Sequence, residues 1–248
     1  MSSITSSAIR VESPTDLAKM PAVYQELLSH QLLAHTEGEL SGADDYLQVF
    51  LPLAPNVFER KICCERAAEE YDHYLIGAAV LRELGVDTEY MVAQRLEDRS
   101  LYASPAIHRI TSWAQRGVFS FLGEDAVLDH IKEMAHSSYV PWANSFQTII
   151  RDELIHVAHG GRIVRAFVQS EDGRVEVQAA IDALWPLVLS LFGKPDSSRS
   201  EEYVHWGLRQ RTNREARNKY VERIVPKLAA MGLTVPSSSG RERSNGNQ

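Results

Sequence analysis

The chain has 248 residues and a net charge of −7, so it can bury a sizeable core and is too acidic for a general nucleic-acid-binding protein. Its longest apolar stretches are far shorter than a bilayer span, and no charged segment followed by an apolar run marks a signal peptide. Two adjacent cysteines, Cys63 and Cys64, are poorly placed for a mutual disulfide, so we expect a cytoplasmic protein without a membrane segment.

The apolar residues follow helical periodicity, and no alternation of useful length indicates a β-strand, so we predict an all-α protein. The serine-rich residues 1–15 are expected to be disordered, residues 16–236 to form one domain, and residues 237–248 to form a disordered polar tail. Thr212 or Asn213 is expected to cap the last helix. The predicted helices cover residues 21–40, 55–85, 88–97, 111–138, 141–170, 175–192, 200–210 and 213–231.

Four glutamates and two histidines form a doubled pattern. A single Glu precedes a Glu-x-x-His motif by 31 residues in the first copy and by 29 residues in the second. Residues three apart share one face of a helix, and such a spacing fits two consecutive helices of about 30 Å joined by a turn. The pattern therefore predicts a ferritin-like four-helix bundle whose carboxylates and imidazoles converge on two metal ions. Its members are Glu39 with Glu70 and His73, then Glu124 with Glu153 and His156.

The donor set indicates the metal. Four carboxylates balance the charge of two ferrous ions, which a buried site requires. Hard carboxylate oxygens with only two imidazoles favour iron or manganese over copper or structural zinc. We therefore expect two iron ions, with a mixed manganese–iron pair as the alternative.

Other residues compete with this assignment. Glu37 is a rival to Glu39, but it is turned about 200° around the helix, whereas His35 and Glu39 share a face. Two further Glu-x-x-His matches occur, and both are interpreted as solvated helix faces. They are Glu133 with His136, and Glu202 with His205.

Each favoured motif also has an acidic residue directly in front of it, Glu69 in the first and Asp152 in the second. A carboxylate there can accept the free ring N–H of a ligating histidine and fix its tautomer. Residues 199–227 carry eight Lys or Arg side chains against four Glu. This basic segment predicts either an amphipathic helix with a solvated face or, less favoured, a site for phosphates of an anionic ligand.

Over about residues 20–236 the chain resembles the catalytic subunit of the bacterial phenylacetyl-CoA epoxidase family, a multicomponent di-iron monooxygenase. Beyond the metal motifs, the likeness rests on the segments 138–142, 185–186, 192–193, 211–213, 225–226 and 232–236. One departure is Glu124, where the family often has Asp; its longer arm would move the carboxylate or change its binding mode. The resemblance implies that the metal ligands and catalytic residues are Glu39, Glu70, His73, Glu124, Glu153 and His156.

The resemblance implies epoxidation or hydroxylation of an aromatic acyl-CoA thioester, with one atom of O2 inserted and the other released as water. It also implies an NADPH-dependent flavin/iron–sulfur reductase and a homologous partner subunit without a working metal site. Apolar residues are needed around the substrate, and Tyr74, Phe121 and Trp142 are candidates, although each is more often plain core.

Three alternative functions follow from the same pattern. A divergent di-iron oxygenase could act on an arylamine or a carrier-bound acid. Iron oxidation and storage is disfavoured by the predicted helices that follow the bundle. A metal-free supporting subunit is disfavoured because all six ligands are present.

Overall fold

A computed structural model describes residues 9–100 and 107–236, and its regular structure is helical. No β-strand occurs in these ranges; Val11 and Tyr139 form an isolated bridge. The prediction of an all-α protein is confirmed. The helices are α1 (Pro14–Leu17), α2 (Ala22–Asp45), α3 (Leu51–Leu53), α4 (Val57–Glu83), α5 (Glu89–Ala93), α6 (Trp113–Phe119), α7 (Asp125–Met134), α8 (Val140–Phe167), α9 (Glu171–Ser190), α10 (Ser198–His205) and α11 (Asn213–Ala229), with 3₁₀ turns at Leu96–Asp98 and Ile107–Arg109 and π-helical segments at Tyr46–Phe50 and Ser120–Glu124.

Four long rods form the bundle. Helix α2 packs along α4, and α8 packs along α6, the π segment Ser120–Glu124 and α7. The two pairs meet where α4 contacts α8. Helix α9 then covers α6 and α8, and α11 lies against α7. This is the ferritin-like arrangement that the sequence predicted, with additional C-terminal helices.

Local capping explains where the long helices begin and end. The Asn56 side chain accepts the backbone N–H of Glu59 and starts α4 just after Pro55, the predicted first residue. Gly85 ends α4 with a φ of +74°, which glycine adopts without strain. Helix α11 begins with a capping box, in which Thr212 caps the helix as one of the two expected residues.

Two rods differ from the predicted helices. The first was expected to end at residue 40, but α2 continues to Asp45 and runs through the π segment Tyr46–Phe50 into α3. The predicted third helix is interrupted by the π segment Ser120–Glu124. A π segment inserts one residue into the helical register, which changes the direction of the side chains beyond it, and such segments often occur at functional sites.

The N-terminal boundary also differs. Residues 9–15 were expected to be disordered, yet the Val11 N–H donates to the Ser138 carbonyl at 2.8 Å and its carbonyl accepts from Val140 at 2.9 Å. Val11 is buried, so packing against the start of α8 holds this segment in place. The expected disorder of residues 1–8 and 237–248 concerns parts of the chain outside the described residues.

The core has two main clusters. One joins Tyr46 and Phe50 to α6, α9 and α11, and the other joins the first half of α2 to Trp142 and Phe146 on α8. The predicted metal ligands lie between the two clusters, where apolar packing limits the access of water. Among the described helices, none has the length and hydropathy that crossing a bilayer would require.

Candidate metal centre

Three of the four rods bring a tight group of predicted ligands together. Glu39 comes from α2, Glu70 and His73 from α4, and Glu153 from α8. One ligand atom of each lies within 4.8 Å of the others, and all four side chains are buried. Residues some 80 positions apart thus meet in one layer of the bundle, in agreement with the geometry expected from their spacing.

The other two predicted ligands lie beside this group. His156 Nδ1 is 3.3 Å from Glu70 Oε1 and 3.6 Å from Glu153 Oε1. Glu124 lines the same cavity as Glu39 and Glu153, but its Oε1 accepts a hydrogen bond from the Tyr46 hydroxyl at 2.9 Å. Glu124 therefore stands outside the tightest group and faces it from the π segment.

Both histidines direct Nδ1 at the carboxylates and Nε2 away from them. His73 Nδ1 is 3.2 Å from Glu39 Oε2, and His156 Nε2 is 2.8 Å from Glu69 Oε2. A carboxylate can only accept, so Glu69 holds a proton on His156 Nε2 and leaves Nδ1 as the ring nitrogen that a metal ion would take. This orientation suits metal ligation.

The acidic residues before each motif act across the bundle. Glu69 on α4 contacts His156 on α8, while Asp152 on α8 has its Oδ2 3.5 Å from His73 Nε2 on α4. Glu69 thus forms a hydrogen bond with the histidine of the opposite motif, whereas Asp152 approaches His73 Nε2 without forming one. Burial acts to raise the pKa of Glu69, but the hydrogen bond from His156 and the charge of Arg66 lower it, so Glu69 is ionised.

Protons balance the charge of the site when no cation is bound. Burial and the charge of Glu70 raise the pKa of Glu39 to about 8. Burial also raises the pKa of Glu153 well above its usual range. Burial would lower the pKa of His73, but hydrogen bonds to Glu39 and Glu70 raise it to about 11.

The residues present fit a pair of divalent cations. Glu124 Oε2 is buried and forms no hydrogen bond within the described part of the chain. Buried polar atoms are normally satisfied, so a free carboxylate oxygen beside this carboxylate cluster is suited to binding a cation. Carboxylate oxygens with two imidazoles are a hard donor set, as iron and manganese prefer.

The rival residues occupy other places. Glu37 is buried but lies outside the metal-binding group found among the described residues. His35 Nε2 is 3.0 Å from Glu39 Oε1, and its ring packs against Trp142. Burial and the charge of His73 lower the pKa of His35 to about 3, so His35 is neutral.

The two extra Glu-x-x-His matches differ in their exposure to solvent. Glu202 and His205 are exposed, as expected. The expectation of a solvated face is wrong for Glu133, which is 3% exposed, accepts the Gln210 N–H at 2.6 Å and forms an ion pair with Arg211. The chain after α10 returns over α7 and covers Glu133, which a single-helix projection could not show.

Some basic residues of the segment 199–227 form similar ion pairs with α7. Arg223 on α11 contacts Asp125 at 2.6 Å and Asp129 at 2.8 Å on α7. The Arg223 side chain is partly exposed, which limits the stability that these pairs contribute. Arg223 thus joins α11 to α7. Arg214, Lys219 and Lys227 are exposed on the same helix, which agrees with the favoured prediction of an amphipathic helix with a solvated face.

A cavity of about 430 Å³ adjoins the carboxylates. Its lining includes four of the predicted ligands, Glu39, Glu70, Glu124 and Glu153. Tyr74, Phe121 and Trp142 were candidates for its apolar wall, and that expectation is wrong because none of them lines it. All three are buried in the core clusters. The apolar wall is instead formed by Phe50, Phe119, Val127, Ile131, Met134 and Phe192.

Arg209 is a cavity residue that the sequence analysis did not single out. Its guanidinium donates to His130 Nδ1 at 3.0 Å and to Asn213 Oδ1 at 2.9 Å, both neutral acceptors. It forms no ion pair with any residue that the structure describes. Burial lowers the pKa of Arg209, against the influence of Glu133. A partly buried cation with no contacting anion among the described residues is a favourable place for an electron-rich ligand group.

The distance between Arg209 and the carboxylates follows from the helices that line the cavity. Its contact His130 lies six residues after Glu124, which is about 9 Å along a helix axis. On the facing helix, Gln31 lies eight residues before Glu39 and donates to the carbonyl of Leu208, the neighbour of Arg209. The cavity therefore has a carboxylate end, an apolar middle and a cationic end.

Comparison with known proteins agrees with this geometry. A family model described as phenylacetic acid catabolic protein matches residues 11–248. The chain is also 27% identical over 220 residues to a protein of Escherichia coli strain K12 that is named as one subunit of the 1,2-phenylacetyl-CoA epoxidase. That alignment covers 88% of this chain and 71% of the relative.

Proposed function

Because the chain belongs to the phenylacetic acid catabolic protein family, we propose that it is the catalytic component of a di-iron monooxygenase that acts on an aromatic acyl-CoA thioester. The observation that carries the proposal is the buried group of Glu39, Glu70, His73 and Glu153 beside an apolar cavity. The two remaining predicted ligands, Glu124 and His156, are buried next to this group. The named activity of the relative points to the same substrate class.

The six predicted ligands would hold two iron ions, with manganese and iron as the alternative pair. Such a pair supplies the electrons with which O2 is activated, so that one oxygen atom enters the substrate and the other leaves as water. Glu69 would orient the His156 ring through its hydrogen bond, and Asp152 would act on His73 by its nearby charge. The two core clusters exclude water from the cavity, which protects a reactive intermediate from side reactions.

The cavity supports an aryl group joined to a carbonyl. The ring would pack against Phe50 and Phe119 near the carboxylates, where apolar contacts bind it without specific hydrogen bonds. The thioester carbonyl would accept a hydrogen bond from Arg209, about 9 Å farther along the helices, a span comparable to an aryl ring with a short acyl chain. The rest of the thioester would leave the cavity on the side of the exposed His30.

Two partners belong to the proposal. Electrons would come from an NADPH-dependent flavin/iron–sulfur reductase, because monooxygenation consumes two electrons that this chain has no cofactor motif to deliver. A homologous protein of the same fold would support the catalytic one. The relative is itself named as one subunit, which favours an assembly of several chains.

Reconstitution tests the proposal directly. The protein is loaded with ferrous iron without oxygen, its iron is counted, and a reductase with aryl-CoA thioesters is then supplied under ¹⁸O2. We expect two iron ions per chain and products that carry one labelled oxygen atom. Many iron ions per chain would instead indicate iron storage, and none would indicate a supporting subunit.

A matched pair of variants assigns the activity to the site. Glu153→Ala should abolish both iron loading and turnover because it removes a carboxylate from the centre of the group. Glu202→Ala changes an exposed glutamate of another Glu-x-x-His motif and should alter neither. Turnover by Glu153→Ala would refute the proposed ligand set.

A further inference from the structure

A fully buried chain of three side chains ends on Glu124. Tyr46, in the first π segment, is 1% exposed, and its hydroxyl lies 2.9 Å from Glu124 Oε1. Arg116 on α6 is 0% exposed, and its Nη2 lies 3.3 Å from the Tyr46 oxygen. These two hydrogen bonds therefore link α6, the end of α2 and the π segment that carries Glu124.

The donors and acceptors fix the direction of both hydrogen bonds. A guanidinium has only N–H donors, so the Tyr46 oxygen must accept from Arg116. The single hydroxyl proton of Tyr46 is then left for Glu124 Oε1, which as a carboxylate oxygen accepts it.

Arg116 is held in this role by aromatic rings. Its Cζ lies 5.3 Å from the ring centroid of Tyr46, 5.5 Å from that of Phe50 and 5.3 Å from that of Trp113. Its Nε and Nη1 form no hydrogen bond with any described residue. Cation–π contacts on several sides leave the guanidinium little freedom to turn its Nη2 away from Tyr46.

The two oxygens of Glu124 are consequently not equivalent. Oε1 is engaged by Tyr46, whereas Oε2 is buried and forms no hydrogen bond in the described part of the molecule. We propose that Tyr46 is a positioning residue, which holds Glu124 by Oε1 so that Oε2 alone binds the metal. This inference rests on the proposed function, since it concerns how one predicted ligand meets the ion.

The arrangement also accounts for the longer side chain at this position. An aspartate at position 124, one methylene shorter, would place its carboxylate farther from the Tyr46 hydroxyl, which lies 2.9 Å from Glu124 Oε1. Glutamate reaches both Tyr46 and the ligand group, with one oxygen for each. The choice of Glu at position 124 and of Tyr at position 46 would then be coupled.

Metal titration of the apo protein tests the role without any turnover. Cobalt(II) is added as an optical probe to wild type, Tyr46→Phe and Tyr24→Phe. Tyr24 is the matched control, because it is also fully buried and its hydroxyl is 2.9 Å from Ser138, away from the site. We expect the weaker of two metal affinities to fall roughly ten- to hundred-fold in Tyr46→Phe, with altered cobalt absorption, and both to be unchanged in Tyr24→Phe.

A double-mutant cycle shows whether the two residues act as one unit. Glu124→Asp should weaken the same metal affinity in wild type but add little in the Tyr46→Phe background, because the contact is already lost. Additive losses would refute the coupling. Arg116→Met provides a second variant, which replaces an unpaired buried cation by an apolar side chain of similar size and is therefore expected to fold. It should shift the cobalt spectrum in the same direction as Tyr46→Phe.

Failure of this inference is distinct from failure of the proposed function. If wild type binds no pair of metal ions, the proposed function itself is wrong. If wild type binds two and Tyr46→Phe and Arg116→Met match it in affinity and spectrum, the positioning role of Tyr46 is wrong while the metal site stands.

Discussion

The close approach of α8 to the π segment Ser120–Glu124 makes a sharp prediction about Gly160. A Cβ atom added at Gly160 would lie 2.5 Å from the backbone nitrogen of Phe121 and 2.6 Å from the Ser120 Cβ. Contacts this short do not occur between real atoms, and the nearest neighbour is backbone, which cannot turn away. Gly160→Ala should therefore force α8 and the π segment apart.

The size of the effect follows from overpacking. Extra methyl groups in a tight core cost typically about 1–3 kcal/mol, and a backbone clash places Gly160→Ala at the upper end. Alanine returns about 0.5–1 kcal/mol of helix propensity, which offsets part of this cost. A net loss of about 2 kcal/mol should lower the melting temperature of a chain of this size by roughly 4–8 °C.

A second helical glycine provides a control for which the expected change in the free energy of unfolding has the opposite sign. Gly38 lies inside α2, and an added Cβ there meets nothing within 4 Å. Gly38→Ala should therefore raise the free energy of unfolding by about 0.5–1 kcal/mol. Both variants are compared with wild type by thermal and urea unfolding of the metal-free protein, followed by circular dichroism. Equal or higher stability of Gly160→Ala would refute the reasoning about the helix contact.

Three further outcomes are expected. Since the pKa of His73 is raised to about 11, the metal-free site holds a proton at pH 7 that a cation must displace. Metal binding should therefore release protons, and the metal affinity should increase as pH rises. An indicator dye in weak buffer measures the release, and its absence would contradict the prediction. Glu69→Gln should weaken metal affinity roughly tenfold in a chelator competition because His156 loses its charged partner, while the exposed Glu65→Gln should not. Arg209→Met should bind an aryl-CoA thioester roughly tenfold more weakly in calorimetry of the apo protein. Equal affinity would refute the proposed hydrogen bond from Arg209 to the thioester carbonyl.

The spacing of the sequence was sufficient to predict most of the helices, and it picked out Glu39, Glu70, His73 and Glu153, which meet in the fold. Residues three apart on a helix share a face whatever surrounds them, so the pairing of Glu70 with His73 is a local property. The capping of α11 by Thr212 is local for the same reason, because the hydrogen bonds join residues within one turn. The all-α class follows from periodicity over the whole chain.

Contacts between distant segments required the tertiary structure. Glu69 forms a hydrogen bond with His156 of the opposite motif. This contact depends on how α4 and α8 are rotated about their axes, and periodicity along either helix does not determine that rotation. The burial of Glu133 depends on the chain returning over α7.

The same reason explains Tyr46. Its contact with Glu124, 78 residues away, arises because two π segments shift the register of two rods at the same level of the bundle. The candidate ligands could therefore be proposed from the sequence, since helix geometry pairs each Glu with the His three residues later. The meeting of Glu39, His73 and Glu153 from three helices required the fold. Which side chains orient those ligands and line the cavity was decided by packing, because only the folded chain brings their helices together.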